Sequence, residues 1–331
     1  MGAPTVLRFT FKPASLVLCI AMGSGAAQAS CVSKPVTLLV PYPAGGASDV
    51  IARGLNQALS NQLGQPVLVD NLAGAGGTIA AQKVLAAPPD GHMVFLGSPN
   101  EVILTPLANA AVKLRHDQFR LLGPVTFNPL VLLARKDLPA QSIDEMIGYA
   151  HNPANKPLSY GSVGYGSLYH FAGEDLAART RTTMLHVPYK GGAPLLQDMG
   201  AGLVDFTLLP WSTSYRGLAD AGRLKILGWV GPRRESLAPD VPAFGEGKLL
   251  KDFEYTTWAG LMVRKDTPPA TVACLHQALG AVLGQPEIQQ ALAATGSRPA
   301  APRSLDESAQ MFAAEAARFQ ALPKSINLQP Q

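Results

Sequence analysis

Four times in this chain a β-rich apolar run ends in a glycine-containing loop that opens a helical pattern, and the four occurrences fall into two pairs. In the first pair Val36 to Val40 runs into Pro41-Tyr42-Pro43-Ala44-Gly45-Gly46, and a helix is predicted from Ser48, with Ile51, Leu55 and Leu59 on one face. Gly64-Gln65-Pro66 stops that helix. Val67 to Val69 is the next strand, and Gly74-Ala75-Gly76-Gly77 leads into a helix predicted near 78–86. After the turn Pro88-Pro89-Asp90-Gly91, a third strand is predicted at 93–96, with Ser98 just beyond it. In the second pair Leu158 to Tyr160 enters Gly161-Ser162-Val163-Gly164-Tyr165-Gly166-Ser167 and then a helix. Met184 to Val187 enters Pro188-Tyr189-Lys190-Gly191-Gly192 and a helix with Leu195, Leu196, Met199 and Leu203 on one side, and Val204 to Leu209 closes the set. Apolar strands joined by helices imply a mainly parallel sheet, so the fold class is α/β.

Two copies of one plan point to two related lobes, each a mainly parallel sheet flanked by helices. Two apolar runs, Leu130 to Ala134 and Trp258 to Val263, are placed to cross between them. The expected division is 30–128 with 256–331 as lobe one and 129–255 as lobe two. The segment from Pro269 to Leu322 is read as mostly helical, with Leu275, Leu279 and Leu283 on one face, packing on lobe one. A single long doubly wound sheet is the alternative, because no residue-level repeat accompanies the architectural one.

The first 29 residues read as a cleaved secretory leader. Arg8 and Lys12 supply the positive start, Leu16 to Met22 a short apolar stretch, and Ala27-Gln28-Ala29 a small-x-small cleavage site. The expected location is therefore the periplasm, where disulfides persist. Cys31 and Cys274 remain after Cys19 leaves with the leader. A bridge between them and two reduced, buried thiols both stay open, because separation in sequence does not give the Cα distance. Charged residues are only 15% of the chain and the formal charge is +4, with no long run of one sign, which excludes nucleic acid as a partner. No apolar stretch is long enough to span a bilayer.

Loops at the carboxyl ends of parallel strands are where ligands bind. There the first N–H groups of the following helix are unpaired and carry partial positive charge. Two such loops from two lobes, facing one cleft, suit a carboxylate. Catalytic signatures are missing: Ile79 stands where a dinucleotide fingerprint needs glycine, Gly-x-Ser-x-Gly is absent around Ser162 and Ser167, and none of the six histidines has metal-ligand spacing. No cofactor and no metal are expected. Asp49, in the first turn of the first helix, either complements the dipole or orders water and accepts from a ligand. His170 either points to the cleft or caps locally, and Lys190 either gives a fixed charge or is merely solvated.

The ordered set Pro41 to Gly46 with Asp49 and Arg53, Asn71 with Gly74 to Gly77, Pro89-Asp90-Gly91, Tyr160 to Ser162, Gly164 to Ser167 with His170, Val187 to Ala193, Asp205, Pro239 to Pro242 and Trp258 to Gly260 resembles the Bug family. These are extracytoplasmic solute receptors of tripartite tricarboxylate transporters. The resemblance covers essentially the whole chain after the leader and implies a Venus-flytrap periplasmic binding protein. In it the first-strand loop and the lobe-two Gly-Ser loop grip a carboxylate. Carried onto this chain, the implied ligand-binding residues are Tyr42, Ala44, Gly45, Gly46, Asp49, Ser98, Ser162, Gly164, Gly166, Ser167, His170, Lys190, Gly191, Gly192, Ala193 and Asp205. The stretches Gly245-Glu246-Gly247 and Leu249 to Phe253 depart from the family pattern, which leaves ligand choice open.

The resulting expectation is a monomeric receptor that is not an enzyme. It binds a small organic carboxylate between its lobes and presents it to the membrane components of a tripartite tricarboxylate-type transporter. A ligand sensor feeding a sensor kinase, and a periplasmic enzyme acting on a carboxylate, are the alternatives.

Overall fold

The structure, a computed structural model, describes residues 1–5 and 32–325. Apart from its first five residues, the leader falls outside them, as does Cys31. Cys274 is disulfide-bonded.

In chain order the elements are β1 (Val36–Val40), α1 (Ala47–Leu63), β2 (Val67–Asn71), α2 (Thr78–Ala86), β3 (Met93–Gly97), α3 (Thr105–Ala108), β4 (Phe119–Arg135), α4 (Ile143–His151), β5 (Leu158–Ser162) and α5 (Leu168–Thr180). There follow β6 (Met184–Pro188), α6 (Gly192–Gly200), β7 (Phe206–Pro210), α7 (Ser214–Asp220), β8 (Leu224–Trp229), β9 (Thr256–Arg264), α8 (Pro269–Leu283), α9 (Pro286–Ala294), β10 (Arg298–Pro299) and α10 (Leu305–Ser325). The strands run β2-β1-β3-β9-β4-β7-β5-β6. Within each lobe the glycine-loop strands are parallel: β1 with β2 and β3, β5 with β6 and β7.

One strand belongs to both lobes. The first part of β4 pairs antiparallel with β9 as far as Pro129 opposite Thr256, and from Leu130 opposite Pro210 onward it pairs with β7, with β8 on its other edge. Residues 130–134 are fully buried. The sequence reading recognised only that apolar stretch of a 17-residue strand. Upstream of it, Gly123, Pro124 and Pro129 break the apolar pattern, and the register against β9 shifts on either side of Gly123-Pro124, as expected where proline removes a ladder donor.

The helix faces follow the apolar spacing. Ile51, Leu55 and Leu59 of α1 pack with Leu275, Leu279 and Val282 of α8 against the first sheet. The helix α6 departs from expectation: it ends at Gly200, the chain turns at Gly202 with φ +78°, and Leu203 is exposed rather than on the apolar side. Its N–H donates to Asp198 O, closing the helix end in the turn. β8 and α4 had no glycine loop to announce them and were not anticipated.

Asp205 fastens the base of lobe two. It accepts from Arg135 Nε at 2.7 Å through one oxygen, and from Ser159 N at 2.7 Å and Ser159 Oγ at 2.8 Å through the other. The ends of β4, β5 and β7 meet there, and both charged side chains are less than one-fifth exposed. Asp205→Ala is therefore expected to lower unfolding free energy by about 2–3 kcal/mol in chemical denaturation, by leaving Ser159 N and Oγ without their acceptor and Arg135 with Asp137 as its one remaining carboxylate. A loss below about 0.5 kcal/mol, the range of an ordinary surface change, would contradict this role.

Candidate ligand-binding site

Helix starts leave N–H groups without carbonyl partners, and this fold treats its helix starts in two ways. The start of α5 is satisfied: Ser167 Oγ accepts from His170 N, and Asn100 Oδ1, from lobe one, accepts from Leu168 N at 2.8 Å. Among the described residues no side chain caps α1 or α6. In α1 the amides of Ala47, Ser48 and Asp49 precede the first internal bond, Val50 N to Gly46 O. In α6 those of Gly192 and Ala193 stand free, and Pro194 has none to offer.

Both uncapped starts open onto one cavity of about 490 Å³ between the lobes. Tyr42, Gly45, Gly46 and Ser48 line it from lobe one, and Val163, Tyr169, Gly192, Ala193 and Leu196 from lobe two. The remaining wall is formed by Leu209 to Tyr215, at the end of β7 and start of α7, and by Ala294, Thr295 and Ser297 beyond α9. Thr213 ties these last two segments together, donating from Oγ1 to Ala294 O and from N to Thr295 O.

The loop at 164–168 presses directly on lobe one, so the lobes are closed on each other. A Cβ on Gly164 would lie 2.9 Å from Gly76 Cα, one on Gly166 2.6 Å from Ala108 Cβ, and one on Gly191 2.6 Å from Pro43 Cδ. Gly164 is also held at φ +137°, where L side chains are strained. At Gly164 and Gly76 backbone meets backbone because neither residue carries a side chain.

Behind this contact lies a buried polar layer. Ser162 Oγ donates to Gly164 O and is 2.7 Å from His186 Nε2, and His170 Nδ1 accepts from Gly166 N. The two imidazoles stack with centroids 4.0 Å apart. Burial, and for His170 also the neighbouring His186, pushes them down to about 3 for His170 and about 4 for His186, so both are neutral at pH 7. On the lobe-one side Glu101 is fully buried and pushed up to about 7 by that burial, against the donations of Tyr42 Oη at 2.5 Å and Ser98 N at 2.6 Å. Asn100 donates to Tyr42 Oη and accepts from Leu168 N, linking Glu101 to the interlobe contact.

Of the sixteen candidate residues, the structure brings Tyr42, Gly45, Gly46, Gly192 and Ala193 to the cavity wall. Ala44 is exposed beside them. Asp49 is turned inward: Oδ2 accepts from Gly45 N at 2.9 Å, and Arg53 Nε reaches both oxygens at 3.0 Å. Burial raises that carboxyl, but these donors outweigh it and hold it below the ordinary range. Gly45 N–H is consequently engaged, Gly46 N donates to Pro43 O, and the amides left for a ligand begin at Ala47. Ser98, Ser162, Ser167 and His170 are bonded as described, and Gly166 and Gly191 pack against lobe one. Gly164 and exposed Lys190 line a smaller interlobe pocket of about 230 Å³ with Gly76, Thr105 and Tyr165. Asp205 is at the far end of β7. The cavity residues missed were Pro43, Ala47, Ser48 and Val50 in lobe one, Val163, Tyr169 and Leu196 in lobe two, and the 209–215 and 294–297 segments; of these Pro43, Ala47, Ser48 and Val163 had a local signal, lying in or beside the glycine loops.

The sequence model described as tripartite tricarboxylate transporter family receptor (TctC) matches residues 51–328. A protein in the tcbD-tcbE intergenic region of a Pseudomonas species is 35% identical over 295 residues, covering 88% of this chain and 85% of that one. Among solved structures, the periplasmic binding protein BugD aligns with a TM-score of 0.83 at 28% identity, over 91% of this chain and all of that one. Rpa4515 of R. palustris, determined with adipate, aligns with a TM-score of 0.84 at 28% identity, over 90% and 99% of the two chains.

Gly164→Ala is expected to hold the lobes apart and raise the radius of gyration seen by small-angle scattering; an unchanged value would mean the Gly76 contact does not limit closure. The pH dependence follows from three buried groups. The histidines, with lowered values, give stability that is complete above about 6.5 and lost as pH falls below it. Glu101, with a raised value, gives stability that is complete below about 4.5 and lost as pH rises through about 7. The two trends oppose each other between these limits, so Glu101→Gln should show a steeper fall in melting temperature than the parent on going from pH 7 to pH 5. Parallel profiles would contradict the buried-glutamate assignment.

Proposed function

The chain belongs to the tripartite tricarboxylate transporter receptor family, and on that footing we propose that it is a periplasmic receptor whose interlobe cavity binds a small organic carboxylate. Rpa4515, with adipate, lends a chemical precedent within the same fold. The observation that carries the reading is the pair of uncapped helix starts, one from each lobe, opening onto a single cavity. A carboxylate has two oxygens and several lone pairs, and amides at Ala47 and Ser48 on one side and Gly192 and Ala193 on the other supply donors from both lobes.

Contacts to both lobes are what couples binding to closure, since a ligand with equal affinity for the open and closed forms shifts nothing. The closed form, with its glycine-to-glycine seam, is then the state offered to the membrane components of a tripartite tricarboxylate-type transporter. No covalent step is part of the proposal. The lining offers hydroxyls and main-chain groups, and the Ser162–His186 pair lies in the buried layer with its serine fully enclosed.

A thermal-shift screen of organic acids is expected to return at least one that raises the melting temperature through binding to the folded state. Ala193→Trp, at an exposed helix start whose side chain borders the cavity, should remove that shift while leaving the ligand-free melting temperature within a few degrees. Retained binding in the variant would place the ligand elsewhere. Loss of uptake of the same acid in a deletion strain tests delivery to the transporter.

A further inference from the structure

The smaller interlobe pocket, of about 230 Å³, shares no lining residue with the main cavity. The seam divides them, with Gly191 packed on Pro43 and Gly164 on Gly76. The two also differ in kind. No charged side chain lines the main cavity, whereas Lys190 lines the smaller pocket, exposed and without an ion pair among the described residues. No carboxylate lines it; Asp198, which accepts from Tyr189 Oη at 3.0 Å, is not part of the wall.

The inner wall of this pocket holds a hydroxyl that the fold leaves unsatisfied. Thr105 is 2% exposed, and its Oγ1 has no hydrogen-bond partner among the described residues. A threonine in a helix ordinarily returns its hydroxyl to a carbonyl of the preceding turn, as Thr180 does to Leu176 O. Just before Thr105 the chain makes a π turn, in which Thr105 N donates to Asn100 O, five residues back, and such turns concentrate at functional sites. Asn100 and Thr105 both meet lobe two: Asn100 accepts from Leu168 N, and a Cβ on Gly166 would lie 3.0 Å from Thr105 Cα. Thr105 Oγ1 faces Gly76, 2.8 Å from where a Cβ on that residue would stand, and both residues line the pocket. Asn109, also in the wall, accepts from Ala111 N through Oδ1, which leaves its amide NH2 as a second donor.

We infer that this pocket is a second binding site, for a small oxyanion such as phosphate or sulfate, separate from the cavity of the organic acid. The anion accepts from Thr105, Asn109 and Lys190, which satisfies the buried hydroxyl and pairs the lysine with an opposite charge. Thr105 and Asn109 stand on lobe one and Lys190 on lobe two, so all three donors are brought together only when the lobes are closed. The oxyanion therefore favours the closed form, and by linkage it tightens the organic acid by the same factor as the acid tightens it.

The probe is inorganic phosphate, titrated against the whole protein beside sodium chloride of equal ionic strength, with sulfate as a second arm. Phosphate, sulfate or both are expected to raise the melting temperature beyond chloride, increasingly with concentration. Thr105→Val, which removes only the hydroxyl, and Lys190→Gln, at an exposed position outside the core, should each weaken the oxyanion by about tenfold or more. Thr105→Val should also leave the anion-free melting temperature unchanged or raised, because a buried unsatisfied group is lost. Ala193→Trp, which obstructs the main cavity, should keep the oxyanion response. No response to either anion, a response that survives Thr105→Val or Lys190→Gln unweakened, or one abolished by Ala193→Trp overturns the inference. None of these outcomes concerns organic-acid binding in oxyanion-free buffer, whose absence alone would count against the receptor reading.

Discussion

The proposed function rests on main-chain N–H groups at two helix starts that no side chain of the described residues caps. A buried amide without an acceptor is costly, and nearly all such groups in folded proteins find one. The starts of α1 and α6 leave their amides without a side-chain cap at the rim of a cavity instead, and both reach the same cavity, from different lobes. The start of α5, built from an equally glycine-rich loop, shows that the chain caps a helix when the cap is structural. There Ser167 and the lobe-one Asn100 take up the donors.

The second constraint is the seam. Gly164 against Gly76 and Gly191 against Pro43 are approaches that no side chain would permit, and Leu168 N to Asn100 adds a directional bond across the cleft. Approaches of this kind, made by glycines and one hydrogen bond, suit an equilibrium between open and closed forms. A large apolar interface would lock the lobes together whether or not ligand was present. Glu101, Tyr42 and Asn100 connect the cavity wall to this seam through hydrogen bonds, so the same residues shape the pocket and hold it shut.

The strands of the two parallel units were legible because period and punctuation agree. Val36 to Val40 and Val67 to Val69 are apolar runs ended by glycine, and α2 occupies 78–86 as its glycine entry predicts. The strand shared by the lobes was half-hidden by its prolines. For the site, the family pattern pointed to both loops of lobe two without distinguishing them. Only coordinates show that Ser167 caps its own helix while Gly191 leaves the next one bare, because capping depends on rotamer and on a partner 68 residues away. The wall at 209–215 and 294–297 joins segments distant in sequence through Thr213, and composition carries no trace of that contact.

Amide hydrogen exchange measures the central claim directly, by comparing the protein alone with the protein saturated by whichever acid a thermal-shift screen returns. The account predicts slowed exchange at Ala47 and Ser48 in lobe one together with Gly192 and Ala193 in lobe two. Protection confined to one lobe, or absent from all four amides while the acid is bound, would contradict it.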